Sequence, residues 1–199
     1  VNETMRLFVA LTIPAEVKQA LAELREELGT RLPSLRWVRQ EGVHLTLAFL
    51  GEVPVDRVGP VRQLLAGCPG GLVPPELESA GLGVFPHQRA PRVLWAGFRE
   101  APEAVLELQR RVAQAMSAEG FPMERRPFRP HLTVGRFRRP LRRSERELLS
   151  GLLQRDAQRS FGRFTARRLS LYRSTLLPAG ARYEELDGWP LDGTAGPSD

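Results

Sequence analysis

At 199 residues, 42% of them hydrophobic and 26% charged, the chain suits one soluble domain of generous size or two small lobes, with core enough to need no folding staple. Its 29 basic against 23 acidic side chains give a net charge of +6 and a pI near 10.7, which suits a polyanionic partner such as nucleic acid. No apolar run approaches the roughly 20 residues that cross a bilayer, so a cytoplasmic protein without a membrane partner is expected. Cys68, the single cysteine, excludes an internal disulfide and reads as an inert thiol beside Pro69 and Gly70.

Residues 1–4 are expected to fray before a first strand at 6–11. Pro14 then stands where a helix begins, and Val17, Leu21, Leu24 and Leu28 recur at helical spacing as far as Gly29. Trp37 and Val38 lead into a strand that begins near His44 and that Gly51 is expected to close. A short helix follows Asp56, with Val58, Val61, Leu64 and Leu65 as its apolar stripe. Residues 68–75, rich in Gly and Pro, form a loop. Residues 76–85 read as a strand interrupted by Gly81 and Gly83, and His87 falls in the surface loop 86–91. Another strand at 92–98 precedes a helix from Pro102 to Gly120, striped by Val105, Leu108, Val112, Ala115 and Met116. After an arginine-rich turn and a second copy of the His44 strand, Ser144 is expected to cap a helix with Glu147 completing a capping box, and Leu148, Leu149, Leu152 and Leu153 lie on it. Residues 164–172 read as one strand, and 176–186 as a hairpin turning at Pro178-Ala179-Gly180. Residues 191–199 are expected to fray.

One phrase is stated twice. Residues 42–51 read GVHLTLAFLG and residues 128–137 read FRPHLTVGRF. Side chains alternate along a strand, so His44 and Thr46 share a face opposite Leu45 and Leu47, and His131 and Thr133 share one opposite Leu132 and Val134. Each copy offers a core-facing aliphatic pair and, on the reverse, an imidazole beside a hydroxyl. A lone strand histidine is usually structural, satisfied by a backbone partner. Here two of only three histidines occupy the same tetrad. The two stretches 6–85 and 92–172 share the order strand, helix, motif strand, helix, strand, which reads as a duplicated unit whose two-fold would set the motif strands face to face. Paired histidines and threonines would then line one cleft, suited to acid–base chemistry on a phosphate.

Nine arginines lie between Glu124 and Arg146, and Lys18 is the only lysine, so almost all the positive charge is carried by guanidinium forks. Genomic base composition or heat adaptation would produce the same bias. Strand parity puts Arg136 on the face away from His131 unless a bulge at Gly135 turns it back. Arg125, Arg126, Arg129, Arg138 and Arg139 are candidates to grip a nucleic-acid backbone.

These residues resemble the 2H phosphoesterase superfamily, and more narrowly the bacterial and archaeal RNA 2',3'-cyclic phosphodiesterases, long called 2'-5' RNA ligases. The resemblance is carried by RLFVALTIP, WVRQEGVHLTLAFLG, PRVLWAG, PFRPHLTVGRF and LYRSTLLPAGARYEEL, in that order along nearly the whole chain. It implies an α+β fold of two lobes within a single domain of 1–199, each lobe an antiparallel sheet carrying helices, one built from both chain ends and the other from the middle, with the active cleft between. It implies metal-independent, cofactor-free hydrolysis of 2',3'-cyclic phosphate RNA ends to 2'-phosphomonoesters, with 2'-5' ligation as the reverse. His44 would be the proton donor, His131 the acceptor, and Thr46 and Thr133 the phosphate binders, with Arg136, Arg129 and Arg126 as further substrate contacts and RNA as the partner of a monomer. Two imidazoles without a neighbouring carboxylate fall short of a catalytic zinc site. A non-catalytic RNA-end-binding module, or action on another cyclic phosphate or 2'-5' linkage, is the alternative.

Overall fold

The computed structural model describes residues 3–124, 126–177 and 180–192. Nine strands and four helices follow one another as β1 (Thr4–Thr12), α1 (Ala15–Leu28), β2 (Leu35–Trp37), β3 (His44–Pro54), α2 (Val58–Gly67), β4 (Glu76–Phe85), β5 (Val93–Phe98), α3 (Glu103–Ala118), β6 (Leu132–Phe137), α4 (Arg143–Arg155), β7 (Ser160–Thr165), β8 (Arg168–Leu177) and β9 (Gly180–Pro190). The apolar stripes define the helices. Val17, Leu21, Leu24 and Leu28 are buried on α1, and Val105, Leu108, Val112 and Met116 on α3, while their charged residues face outward.

All strand pairs are antiparallel, in the order β7-β4-β5-β6-β3-β1-β8-β9, with β2 also on β6. The two halves of this order meet at one residue pair among the described residues, Leu45 with Leu132. The fold is therefore α+β and bilobal. One lobe holds β7, β4, β5, β6 and β2; the other holds β3, β1, β8 and β9. The helices exchange between them. α1, which follows the terminal-lobe strand β1, packs on β7, and α3, which follows β5, packs on β3. Both helices thus cover a sheet to which their own preceding strand does not belong.

Several boundaries differ from the sequence reading, each for a local reason. Thr4 already pairs with Pro54, and Leu191 is buried with its N–H donating to the Arg167 carbonyl, so neither of these frays. Residues 1–2 and 193–199 lie outside the described residues, as do Pro178 and Ala179 of the expected hairpin turn, although β8 and β9 do pair as a hairpin. Gly51 does not close β3. It sits at φ 73° opposite Leu7, where the ladder slips by one residue, so a glycine serves as a bulge within the strand. Gly81 and Gly83 likewise bend β4 without ending it. Residues 35–37 form a separate strand on β6 rather than a lead-in to β3. The expected strand at 164–172 is two strands in different lobes. Thr165 pairs with Glu76, Arg168 pairs with Pro190, and the chain crosses over Ala166 and Arg167 without breaking its alternation. Ser144 is not the cap of α4. The helix starts at Arg143, and Glu145 accepts the N–H groups of Arg142 at 3.0 Å and Ser34 at 2.9 Å, while Glu147 pairs with Arg143 outside.

Candidate active site

The site is built where the two sheets touch. The Leu45–Leu132 pair points into the core, and on the reverse face antiparallel registry sets His44 alongside Thr133 and Thr46 alongside His131. The motif strands are thus neighbours in one continuous ladder rather than facing surfaces, because the lobes hinge at this pair. Alternation does the rest: in both copies the histidine and threonine are half-buried while the two aliphatic residues are buried.

Each histidine is held by the backbone two residues before it. The His131 Nδ1–H donates to the Arg129 carbonyl at 2.7 Å, which leaves its other ring nitrogen for a ligand. His44 makes the equivalent bond to the Gly42 backbone. Aromatic rings fix their planes. His44 stacks on Phe8 at 4.6 Å, Phe8 stacks on Tyr172 at 5.2 Å, and Tyr183 meets the His44 ring edge-on at 5.0 Å. His131 meets Phe85 edge-on at 5.0 Å, with Trp95 beyond. Burial pushes the His44 imidazole down to about 4, with Lys18, Arg136 and His131 adding repulsion against the Gly42 bond. His131 is also depressed, by burial first and then by Arg136, against the Arg129 bond. Among the described residues neither motif threonine hydroxyl has a hydrogen-bond partner, so both are open to a ligand.

A bulge that turns Arg136 back is present, one residue before the expected Gly135. Trp95 pairs with Thr133 and Leu94 with Gly135, so Val134 is the extra residue, and Arg136, opposite Val93, returns to the face of Thr133 and His131. The first copy has the same slip: Val9 pairs with Ala48 and Ala10 with Thr46, leaving Leu47 as the extra residue. Phe49, 60% exposed, thereby occupies the position in the first copy that Arg136 occupies in the second. Gly135 is glycine because β2 lies on it: an added Cβ would meet Leu35 Cδ1 at 2.8 Å and the Arg36 carbonyl at 3.0 Å.

His44, Thr46, His131, Thr133 and Arg136 are therefore brought together. Arg129 contributes its carbonyl, with its side chain exposed, and Arg126 is exposed beside Glu124 at 3.5 Å. Arg139 pairs with the buried Glu145, and Arg125 lies outside the described residues. His87 is exposed in its loop and its Nδ1 accepts from Ala90 N–H. The sequence reading missed the aromatic walls Phe8, Phe85, Trp95, Tyr172 and Tyr183. A signal existed: the chain has two tyrosines, and both lie against His44. No group of three His, Cys, Asp or Glu side chains suited to a metal gathers among the described residues, and no helix among them is long and apolar enough to cross a membrane.

Comparison with known proteins points to one family. The family of LigT-like phosphoesterases matches the chain twice, over residues 11–95 and 98–183. A protein of Methanocaldococcus jannaschii named RNA 2',3'-cyclic phosphodiesterase is 30% identical over 185 residues, 93% of this chain and 100% of that protein. One of the same name from Geobacillus stearothermophilus is 41% identical over 130 residues, 65% of this chain but 41% of that longer relative. Among solved structures, TT0787 of Thermus thermophilus superposes with a TM-score of 0.77 at 29% identity, covering 94% of this chain and 98% of that one. Escherichia coli LigT bound to 3'-AMP gives a TM-score of 0.74 at 26% identity, covering 95% and 99%. With a double match spanning both motif strands and relatives aligned end to end, the chain belongs to the LigT-like phosphoesterases of the 2H superfamily.

Proposed function

We propose that the protein is an RNA 2',3'-cyclic phosphodiesterase that opens the cyclic phosphate to a 2'-phosphomonoester by acid–base catalysis between His131 and His44. Water attacks phosphorus and loses its proton to His131. The bond from phosphorus to the 3' oxygen breaks, and His44 gives its proton to that oxygen, leaving a 3'-hydroxyl and a 2'-phosphate. Thr46 and Thr133 donate to the nonbridging oxygens, and Arg136 adds positive charge as negative charge builds. With a 5'-hydroxyl in place of water, the same proton traffic would open the cyclic phosphate to a 2'-5' linkage, His131 taking the hydroxyl proton and His44 protonating the 3' oxygen as its bond to phosphorus breaks. The observation that supports this most is the antiparallel placement of the two His–Thr pairs around Leu45 and Leu132, each imidazole held by the backbone two residues earlier.

Both free imidazoles are depressed, yet the donor must be protonated. A bound phosphate anion resolves this, since an adjacent negative charge stabilises imidazolium. Substrate therefore brings His44 into its acid form. The donor set, two imidazoles and two hydroxyls without a carboxylate, suits chemistry without a metal. Exposed Phe49 offers an aromatic face beside the cleft for a ribose or base. The duplicated family match and the matching bulges in both copies support two repeats within one domain. A dinucleotide ending in a 2',3'-cyclic phosphate, incubated in excess EDTA, is the direct test. Conversion to the 2'-phosphate is expected. Binding without turnover would favour an RNA-end-binding module, and a 3'-phosphate product would reverse the leaving-group assignment.

A further inference from the structure

The motif strands have a second side. Behind them, between α1 and the segment that leads from β2 to β3, lies a cavity of about 380 Å³, a volume within the range of small-molecule sites. Its floor includes the buried Val43 and Val134, which adjoin His44 and Thr133 in sequence, and Trp37 and Val38 add a half-buried apolar wall. α1 contributes Lys18, Leu21, Ala22 and Arg25, which share one helix face at spacings of three, four and seven. Gln40 Nε2 donates to Gln19 Oε1 at 3.3 Å and ties α1 to the turn at Gln40–Gly42.

Charge in this cavity is unbalanced. Lys18, the only lysine, is half-buried, and neither it nor Arg25 makes a side-chain hydrogen bond or ion pair among the described residues. Burial lowers the pKa of the Lys18 ammonium, and Glu41 opposes this only from beyond ion-pair distance. A desolvated cation without a contact partner is stabilised when an anion enters. At the outer end Arg25 and Glu26 are both exposed and offset one another, so the unmatched charge is that of Lys18. The cavity therefore suits one negative charge rather than a polyphosphate, and the indole of Trp37 with Leu21 and Ala22 suits a flat apolar body attached to it.

We infer that this cavity is a second ligand site, taking a small aromatic monoanion with its charged head on Lys18, and that its occupant acts on His44 through that lysine. The groups facing His44 are Lys18 from α1, Arg136 and His131 from β6, and the phenol rings of Tyr172 on β8 and Tyr183 on β9, while Glu41 faces Lys18. Each cation repels a proton on the imidazole. An anion on Lys18 cancels one of those repulsions and eases protonation of the residue proposed above as the acid. The consequence for turnover, but not the site itself, rests on the phosphodiesterase reading.

Two fluorescent probes that differ by one sulfonate test the site by equilibrium binding: anilinonaphthalene sulfonate and the uncharged phenylnaphthylamine. The wild type should bind the sulfonate saturably. Lys18→Met keeps the stem and removes the charge, and should weaken the sulfonate by about ten- to a hundredfold, the range of a hydrogen bond to a charged group, while leaving the uncharged probe nearly unchanged. Ala22→Phe fills the cavity from the half-buried face of α1 and should block both probes. Sulfonate affinity that is the same in wild type and both variants, or an equal loss of both probes in Lys18→Met, would overturn the site. The His44 ring followed by NMR gives the second readout. Its titration midpoint should rise when the sulfonate binds the wild type, and in Lys18→Met it should lie higher already and ignore the probe. The wild type alone decides if the variants do not fold, since a His44 midpoint that does not move at saturating sulfonate overturns the coupling. Neither readout needs turnover, so an inactive protein would refute the hydrolase reading and leave both results standing.

Discussion

As the proposed donor His44 has to carry a proton, yet its ring is pressed between Phe8 and the edge of Tyr183, where burial holds it down to about 4. One consequence is for stability. A histidine whose folded pKa lies below its unfolded value of about 6.5 is protonated more readily in the unfolded chain, so its contribution is present above pH 6.5 and is lost as pH falls towards 4. The loss is on the order of 3 kcal/mol for this one group. His44→Gln should therefore show a flatter dependence of Tm on pH between 6.5 and 4 than the wild type; parallel curves would mean that the ring is not held neutral by burial. The second consequence is for rate. Either motif histidine changed to alanine should lower kcat/KM by about 10²- to 10⁴-fold, the usual contribution of a positioned proton-transfer group, while His87→Ala should have almost no effect. Thr46→Val and Thr133→Val keep the shape and remove a donor, and about a ten- to hundredfold loss is expected in each. Wild-type rates in both valine variants would remove the threonines from phosphate binding.

At the scale of the strand, the decisive feature is an extra residue three positions after the histidine in each motif copy. The bulges at Leu47 and Val134 rotate Phe49 and Arg136 onto the histidine face, which simple alternation would deny them. The alternation of His-Leu-Thr-Leu and His-Leu-Thr-Val was readable because each strand buries one face, and the need for a bulge at Gly135 was readable from parity. The bulge at Leu47 was not, since nothing local distinguishes Leu47 from an ordinary core leucine; only the ladder to β1 shows it. The division of 164–172 between two lobes was also hidden, because a two-residue crossover through Ala166 and Arg167 leaves the apolar alternation intact. Likewise the cap of α4 lies in Glu145, a residue tied to Ser34 more than 100 positions away in sequence. Gly135 provides the test at this scale. Gly135→Ala places a methyl against Leu35 and the Arg36 carbonyl, which should prise β2 from β6 and lower stability by about 1 to 3 kcal/mol, the usual range for overpacking. Denaturant titration measures this, and an unchanged midpoint would show that β2 moves aside freely.

The molecule as a whole is two sheets joined at one ladder pair and stitched by exchanged helices. Since α1 covers the middle-lobe strand β7 and α3 covers the terminal-lobe strand β3, each sheet loses one covering helix if the lobes part. A single cooperative transition is expected, with calorimetric and van't Hoff enthalpies equal, and two resolved transitions would show that the lobes fold separately. The same architecture places the proposed acid, His44, and the proposed base, His131, on different repeats, so in the proposed mechanism each repeat brings half of the reaction. The most direct measurement is the pH dependence of kcat/KM on a cyclic-phosphate dinucleotide for the wild type, His131→Ala and His44→Ala. The wild type should give a bell, because one imidazole must be neutral and the other protonated. With both groups depressed by burial, the bell should be centred below the ordinary histidine value, and that of kcat should lie at higher pH because bound phosphate raises both. Removing the base, His131, should abolish the acidic limb and leave a residual rate that falls at high pH. Removing the acid, His44, should leave a rate that rises with pH to a plateau. Exchange of those two profiles would reverse the donor and acceptor, and unchanged bells in both variants would contradict two-histidine catalysis altogether.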